Sequence, residues 1–228
     1  MKWTVRSLAF SLIFCLCLFC VSGEDHVSNV YHAHENAGMK IALTFDDGPH
    51  PRLTPEILAI LKKYDVRATF FLVGENVENY SELVGQILAD GHEIGNHTYT
   101  HGRVSDLSFF EMKKEFETCE SAIYEVAEYK TKLLRPPEGY LDSKIKAISK
   151  ELDYNVILWS IDTKDWAHET PEAICKNITD HISGGSIILM HDYISYHSPT
   201  PKALELFIPL LLEQGYQFVV VSDLIGSY

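Results

Sequence analysis

Continuous apolar runs that alternate with amphipathic segments constrain the fold of this chain more than any other feature. The runs are rich in β-branched and aromatic residues, and they occupy residues 41–45, 69–73, 156–159, 187–190 and 218–221. Such runs are typical of strands buried on both faces, as in a parallel sheet covered by helices. The segments between them carry apolar residues three and four positions apart, the spacing of one helix face. We therefore expect an α/β fold.

Weaker strand patterns at residues 93–96 and 132–135 bring the expected number of β/α units to about seven. Periodicity alone does not decide between a barrel and a doubly wound sheet. In both folds, active sites lie at the C-terminal edge of the parallel strands. Several ionisable residues directly follow expected strands and are therefore the first candidates for an active site: Asp46, Asp47, His97, Arg135, Asp162, Asp165 and His191.

Residues 1–23 have the layout of a secretory signal peptide, with basic residues first, then an apolar run, then small residues before the first acids. A retained membrane anchor is the alternative, but the apolar run at 8–21 is shorter than the roughly 20 residues that span a bilayer. We expect cleavage after Gly23, a loose polar leader over 24–38, one domain over 39–228, and a secreted, soluble monomer. No later segment of the sequence has the length and apolarity of a membrane span.

The net charge of −13 argues against nucleic acid and acidic membranes as partners, because binding to either needs a basic surface. A neutral polymer is compatible with this charge. Cys119 and Cys175 follow the predicted signal peptide, and the sequence leaves open whether they form a disulfide or stay free thiols. Asn79 and Asn177 stand in N-glycosylation sequons, which matter if the host is a eukaryote.

Two sequence clusters contain the residue types of a metal site. Asp46 and Asp47 are adjacent at the end of an expected strand, where their side chains point in different directions and can serve different tasks. A simple turn is the alternative for this Asp-Asp-Gly-Pro segment. His97 and His101 are four residues apart, which predicts that both lie on one face of a helical turn. Two histidines and one carboxylate suit zinc or another divalent transition metal and leave positions open for water and substrate.

Three further clusters contain candidates for proton transfer and substrate binding. They are Arg135-Pro136-Pro137-Glu138-Gly139-Tyr140, Asp162-Thr163-Lys164-Asp165-Trp166 and Leu189-Met190-His191-Asp192. The prolines predict a rigid exit from the strand, where Arg135 can hold a carboxylate or form a structural salt bridge. Asp165 can orient a histidine, Trp166 can border a sugar, and His191 can act as a general acid. Each of these residues alone also fits a structural role.

The five clusters occur in the order TFDDG, HTYTH, RPPEG, DTKDW and LMH. In this order they resemble the five motifs of the polysaccharide deacetylases, the NodB-homology domains of carbohydrate esterase family four. The resemblance covers residues 40–225. It implies a distorted (β/α) barrel, often of seven strands, that acts on a polysaccharide. It also implies a metal ion, zinc or cobalt, bound by Asp47, His97 and His101.

The resemblance implies a role for each remaining candidate. Asp46 would be the general base with Arg135 as its partner, and His191 would be the general acid, oriented by Asp165. Glu138 stands where the family has an aromatic residue, and its carboxylate would compete for the metal or repel an anionic substrate. Its backbone N–H would still serve the oxyanion. Four residues are expected to border the substrate: Glu138, Tyr140, Trp166 and Leu189.

The resulting functional expectation is hydrolysis of N-acetyl groups from chitin or chito-oligosaccharides, with release of acetate. One alternative is a peptidoglycan or acetyl-xylan deacetylase that uses the same residues. The other is a wall-associated carbohydrate-binding protein with weak catalysis.

Overall fold

The computed structural model describes residues 29–193 and 197–226. The predicted signal peptide, residues 1–23, lies outside these ranges, as do the first residues of the predicted leader. Among the described helices, none has the length and apolarity that crossing a lipid bilayer requires.

The sheet consists of parallel strands that curl into a barrel. Within the described residues there are nine strands: β1 (Val30–Tyr31), β2 (Lys40–Asp46), β3 (Thr69–Leu72), β4 (Glu93–Asn96), β5 (Leu133–Leu134), β6 (Asn155–Ile157), β7 (Ile161–Asp162), β8 (Ile187–His191) and β9 (Gln217–Val219). Their spatial order is β1-β6-β5-β4-β3-β2-β8-β7, and β9 pairs with the first half of β2. Most neighbours in space are thus neighbours in sequence, and the fold is the distorted (β/α) barrel that the resemblance implied.

The helices follow the strands, and the first seven cover the outer face of the sheet. Those described are α1 (Leu53–Lys63), α2 (Gly74–Asn79), α3 (Ser81–Ala89), α4 (Phe109–Ala127), α5 (Ser143–Glu151), α6 (Pro171–His181), α7 (Thr200–Glu213) and α8 (Val221–Ile225). Helix α4 begins with a capping box, in which Ser108 and Glu111 each accept a hydrogen bond from the other's backbone N–H. Cys119 in α4 and Cys175 in α6 are free thiols, so the disulfide that the sequence left open is not formed.

Alternation along β2 separates the helix-covered face from the barrel interior. Leu43 and Phe45 are fully buried in the largest core cluster, which includes residues of α1, α3, α4, α6 and α7. Ala42 belongs to a second cluster, where α8 packs inside the N-terminal end of the barrel. Thr44 and Asp46 continue the face of Ala42 and therefore lie inside the barrel, towards the C-terminal ends of the strands.

The polar leader predicted over 24–38 is not loose in its described part. Strand β1 pairs with β6, and Ala33 forms an antiparallel bridge with Ser186, just before β8. The N–H of His34 donates to the carbonyl oxygen of Gly185 at 2.9 Å. A Cβ at Gly185 would lie 1.8 Å from the carbonyl oxygen of His34, so this approach requires glycine. The pairing uses backbone groups alone, and the side-chain pattern therefore gave no sign of it.

All seven strand regions predicted from the sequence contain a strand. The structure adds β1 and β7, each of two residues, which are too short to give a periodic signal. It also divides residues 218–221, because β9 ends at Val219 and α8 begins at Val221.

Candidate active site

A buried guanidinium organises the interior beneath the strand ends. Arg135 is fully buried, and its Nη1 donates to Oδ1 of Asp46 at 2.7 Å. Its other hydrogen bonds go to Oγ1 of Thr44 (2.8 Å) and to the carbonyl oxygens of Ile157 (3.0 Å) and Leu158 (3.1 Å). The guanidinium carbon also lies 4.1 Å from the ring centroid of Phe71. These contacts fix Arg135 and present one oxygen of Asp46 to its charge.

Three side chains converge on one point beside Asp46. Oδ1 of Asp47 lies 3.3 Å from Nε2 of His97 and 3.0 Å from Nε2 of His101. Nδ1 of His97 lies 2.7 Å from the carbonyl oxygen of Arg135, which orients the ring with Nε2 towards Asp47. The three ligand atoms lie within 4.8 Å of one another. Two imidazole nitrogens and one carboxylate oxygen suit zinc or cobalt and leave coordination positions open.

The electrostatics of this cluster favour a bound cation. Burial raises the pKa of Asp47, but hydrogen bonds with His101 and His97 outweigh burial and bring that pKa well below its ordinary value. The hydrogen bond with Asp47 raises the pKa of His101, although burial opposes it. Oδ2 of Asp46 lies 3.8 Å from Nε2 of His97, so a second carboxylate faces the same point. A divalent ion would displace the proton that Asp47 favours on His101.

The histidine segment is a loop and not the helical turn that the spacing predicted. His97 follows β4 directly, and its N–H donates to the carbonyl oxygen of Leu72 at 3.0 Å. Thr98 and His101 have positive φ angles, 69° and 54°. Neither is glycine, so the sequence carried no marker for this left-handed backbone. The two imidazole rings nevertheless meet, with centroids 5.0 Å apart.

The candidate acid lies on the strand next to the candidate base. His191 pairs with Asp46 in the β2–β8 ladder, and its Nδ1 lies 2.7 Å from Oδ1 of Asp165. Oδ2 of Asp165 accepts hydrogen bonds from the N–H of His191 (2.9 Å) and the hydroxyl of Thr200 (2.7 Å). Burial lowers the pKa of His191, but Asp165, Asp46 and Asp47 outweigh burial and raise that pKa to about 9. At neutral pH the imidazole is therefore cationic, with Nε2 able to donate a proton.

Two of the residues expected to border the substrate lie beside the histidine loop. Glu138 and Tyr140 line a crevice of about 70 Å³ together with His101. The side chain of Glu138 is exposed, and its backbone has φ 58°, directly after two prolines. This left-handed turn carries the chain past the metal-ligand loop and exposes Tyr140 to solvent.

The other two lie on the side of the candidate acid. Trp166 is 53% exposed, and its indole N–H donates to Oδ1 of Asp162 at 3.3 Å. Leu189 is buried on β8, two residues before His191, and therefore points to the same face of the strand. An exposed aromatic ring is suited to contact with a sugar ring, and a buried aliphatic side chain to contact with a methyl group.

Two threonines support the site without having been singled out from the sequence. Thr44 accepts a hydrogen bond from Arg135 and donates to the carbonyl oxygen of Ile188 at 2.7 Å. Its position two residues before Asp46 on one strand was a signal that would have found it. Thr200, at the start of α7, binds Asp165 from 35 residues away, and no local pattern indicates that contact.

Comparison with known proteins finds relatives of this chain in both sequence and fold. The sequence profile of the polysaccharide deacetylases matches residues 33–157. The peptidoglycan-N-acetylglucosamine deacetylase of Bacillus cereus is 39% identical over 187 residues, which are 81% of this chain and 87% of that protein. Longer curated relatives also match, and the chain spans 39% of the length of some of them.

Solved structures agree with the sequence comparison. The crystal structure of the Bc1960 peptidoglycan N-acetylglucosamine deacetylase superposes with a TM-score of 0.85 at 33% identity, covering 89% of this chain and 94% of that one. A family 4 acetyl xylan esterase from Clostridium thermocellum, solved with a cobalt ion, gives a TM-score of 0.75 at 32% identity, covering 82% and 90%. The profile covers more than half of the chain and both folds superpose along most of their length, so the chain belongs to the polysaccharide deacetylase family.

Proposed function

We propose that this protein is a metal-dependent hydrolase that removes the acetyl group from N-acetylglucosamine residues of peptidoglycan. The observation that carries the proposal is the convergence of Asp47, His97 and His101 on one point. Asp46 and His191, which pair in the β2–β8 ladder, lie at the same edge of the barrel. A base, an acid and three metal ligands at one edge of a barrel are the components that amide hydrolysis requires.

Zinc or cobalt would be held by Asp47, His97 and His101. When bound, such a cation lowers the pKa of a water molecule and polarises the acetyl carbonyl group. The carbonyl oxygen of Arg135 keeps His97 in the orientation that this binding needs, because it fixes the proton on Nδ1.

The remaining residues move protons and stabilise charge. Asp46 accepts a proton from the attacking water, and the hydrogen bond from Arg135 holds its carboxylate in place. The backbone N–H of Glu138, the first N–H after the two prolines, donates to the oxyanion. His191 then donates its Nε2 proton to the departing amine, and Asp165 stabilises the imidazolium until that transfer.

The substrate follows from the relatives and not from the catalytic residues. Chitin was the first expectation from the sequence resemblance, and it presents the same N-acetyl group on the same kind of sugar. The Bacillus cereus protein and the Bc1960 structure are both peptidoglycan N-acetylglucosamine deacetylases, and they support peptidoglycan instead. Acetylated xylan, the substrate class of the cobalt-bound relative, is the third polymer to compare.

The test is acetate release by the metal-loaded protein from peptidoglycan fragments, N-acetylglucosamine oligomers and acetylated xylan. We expect the highest kcat/KM on peptidoglycan fragments. A higher value on either other polymer would replace the proposed substrate, and binding without acetate release would favour the carbohydrate-binding alternative. Asp46→Asn should abolish release, whereas Asp90→Asn, which removes an exposed carboxylate paired with Lys62, should not.

We also propose that the protein is exported, with residues 1–23 as its signal peptide. The layout of those residues supports export, and so does a wall polymer as substrate. N-terminal sequencing of the exported protein should begin at Glu24. Retention of residues 1–23 on the mature protein would indicate the membrane anchor instead.

A further inference from the structure

The carboxylate of Glu115, in the middle of α4, binds the loop that carries both metal-ligating histidines. Its Oε2 accepts hydrogen bonds from the N–H of Tyr99 at 3.1 Å and from the N–H of Thr100 at 2.8 Å. The hydroxyl of Thr100 donates a third bond to the same oxygen at 3.0 Å. One carboxylate oxygen thus gathers three donors from the two residues directly before His101.

Within the described residues, the other side-chain hydrogen bonds to N–H groups of residues 98–101 come from within the segment itself. The N–H of Thr98 donates to Oδ1 of Asn96 at 2.9 Å, and the N–H of His101 donates to Oγ1 of Thr98 at 3.1 Å. Thr98 and His101 both adopt left-handed backbone conformations that non-glycine residues rarely adopt. The carbonyl oxygens of Thr98 and Tyr99 accept hydrogen bonds from the first N–H groups of α2 (3.0 Å each). Glu115 takes the N–H groups on the opposite side of the peptide chain. The loop is therefore held between two helices, by two of its carbonyl oxygens on α2 and by the N–H groups of Tyr99 and Thr100 on Glu115 of α4.

We propose that Glu115 is a positioning residue for the metal site and that it sets the affinity for the metal by fixing His101 relative to His97 and Asp47. Glu115 is not one of the three side chains that converge on the metal site, which are Asp47, His97 and His101. The proposal rests on the proposed metal site. The effect on metal affinity depends on the length of the Glu115 side chain, which lets one oxygen accept three hydrogen bonds. It does not depend on the negative charge of the carboxylate.

Two conservative variants separate reach from charge. Glu115→Gln keeps the length and an acceptor oxygen but removes the charge, whereas Glu115→Asp keeps the charge and shortens the reach. If the loop contacts matter, glutamine should retain metal affinity and aspartate should lose it. A long-range electrostatic effect on the cation predicts the opposite order.

The measurement is the dissociation constant of zinc, obtained by chelator competition with the purified full chain, together with the visible absorption spectrum of the cobalt-loaded protein. We expect Glu115→Asp and Glu115→Ala to weaken zinc binding by about tenfold or more, as loss of a supporting contact does in other metal sites. Glu115→Gln should stay within about threefold of the wild type, with an unchanged cobalt spectrum. Glu117→Ala, which removes an exposed carboxylate of the same helix, is the matched control.

Each outcome decides the proposal. Equal affinity in all variants, or tighter binding by the aspartate variant than by the glutamine variant, would overturn it. Thermal unfolding of the metal-free proteins shows whether each variant folds, and if the alanine variant does not, the comparison of glutamine with aspartate still decides. If the wild type itself binds no zinc or cobalt, the proposed metal site fails, and that result is distinct from a failure of the role of Glu115.

Discussion

Replacing Arg135 by methionine tests how strongly the buried ion pair holds the base and the barrel interior together. Methionine keeps an unbranched side chain against Phe71 but loses the charge and all four hydrogen bonds. Removing one partner of a buried ion pair costs about 3–5 kcal/mol. Asp46 is only 4% exposed, so solvent replaces little of what the guanidinium supplied. We expect the free energy of unfolding to fall by at least about 3 kcal/mol and acetate release to be lost.

The assay is urea unfolding followed by tryptophan fluorescence, with Arg135→Met, Asp46→Asn and the double variant in one cycle. The double variant should lose less stability than the two single losses added together, because it leaves no buried charge unpaired. Arg67→Met is the matched control. It removes an ion pair with Asp223 in which Arg67 is 49% exposed, and it should cost no more than about 1 kcal/mol.

A loss in free energy of unfolding for Arg135→Met that is as small as the loss for Arg67→Met would refute this prediction. The guanidinium would then contribute no more than an exposed ion pair, and its place beside Asp46 would need another explanation. A loss of activity at unchanged stability would also be informative, because it would confine Arg135 to orienting the base.

Four further predictions follow: two concern the acid, one the metal and one the loop before α1. Asp165→Asn should move the alkaline limb of the kcat/KM profile to lower pH, because Asp165 holds the pKa of His191 at about 9 against the effect of burial. An alkaline limb at unchanged pH would remove His191 from the acid role. The pKa of His191 is raised from 6.5 to about 9 in the folded protein, so the His191–Asp165 ion pair stabilises the fold fully below pH 6.5. That contribution is lost as the pH rises through about 9, and unfolding curves measured across this range should show the loss. His101→Ala should yield protein without stoichiometric zinc or cobalt in elemental analysis, and a full metal content would exclude it as a ligand. Gly48→Ala should lower the free energy of unfolding by about 1–3 kcal/mol, because a Cβ there would lie 2.1 Å from the buried carboxylate of Asp192. Adding Asp192→Ala should restore part of the lost stability in urea unfolding. If the double variant recovers no stability, the clash with Asp192 is not the cause.

The main strands and the location of the site could be predicted because both depend on local patterns. The run that became β2 is buried on both faces, so residues 41–45 are apolar apart from Thr44, and the carboxylates of Asp46 and Asp47 then mark its end. Arg135 follows β5 and His191 ends β8 in the same way. Parallel strands place such residues at a common edge whatever their distance in the sequence.

Other parts of the site depend on contacts that leave no local pattern. The left-handed residues Thr98 and His101 give the histidine loop a shape that spacing alone misread as helical. Glu115 reaches that loop from 15 residues away, on a helix whose other acidic residues are solvent-exposed or partly so. Such tertiary hydrogen bonds depend on how α4 packs against the sheet, and periodicity does not describe that packing.

The pairing of β1 with β6 and the bridge from Ala33 to Ser186 limit how far the chain can be shortened from its N-terminal side. Residues 29–34 lie along the opening between β6 and β8, and they pair through their backbone with both sides of it. Cleavage after Gly23 would leave five residues before this segment, so the cleaved protein would keep the pairing. Proteolytic trimming to Met39 would leave the hydrogen-bonding groups on this side of β6 without their neighbour and the barrel open there.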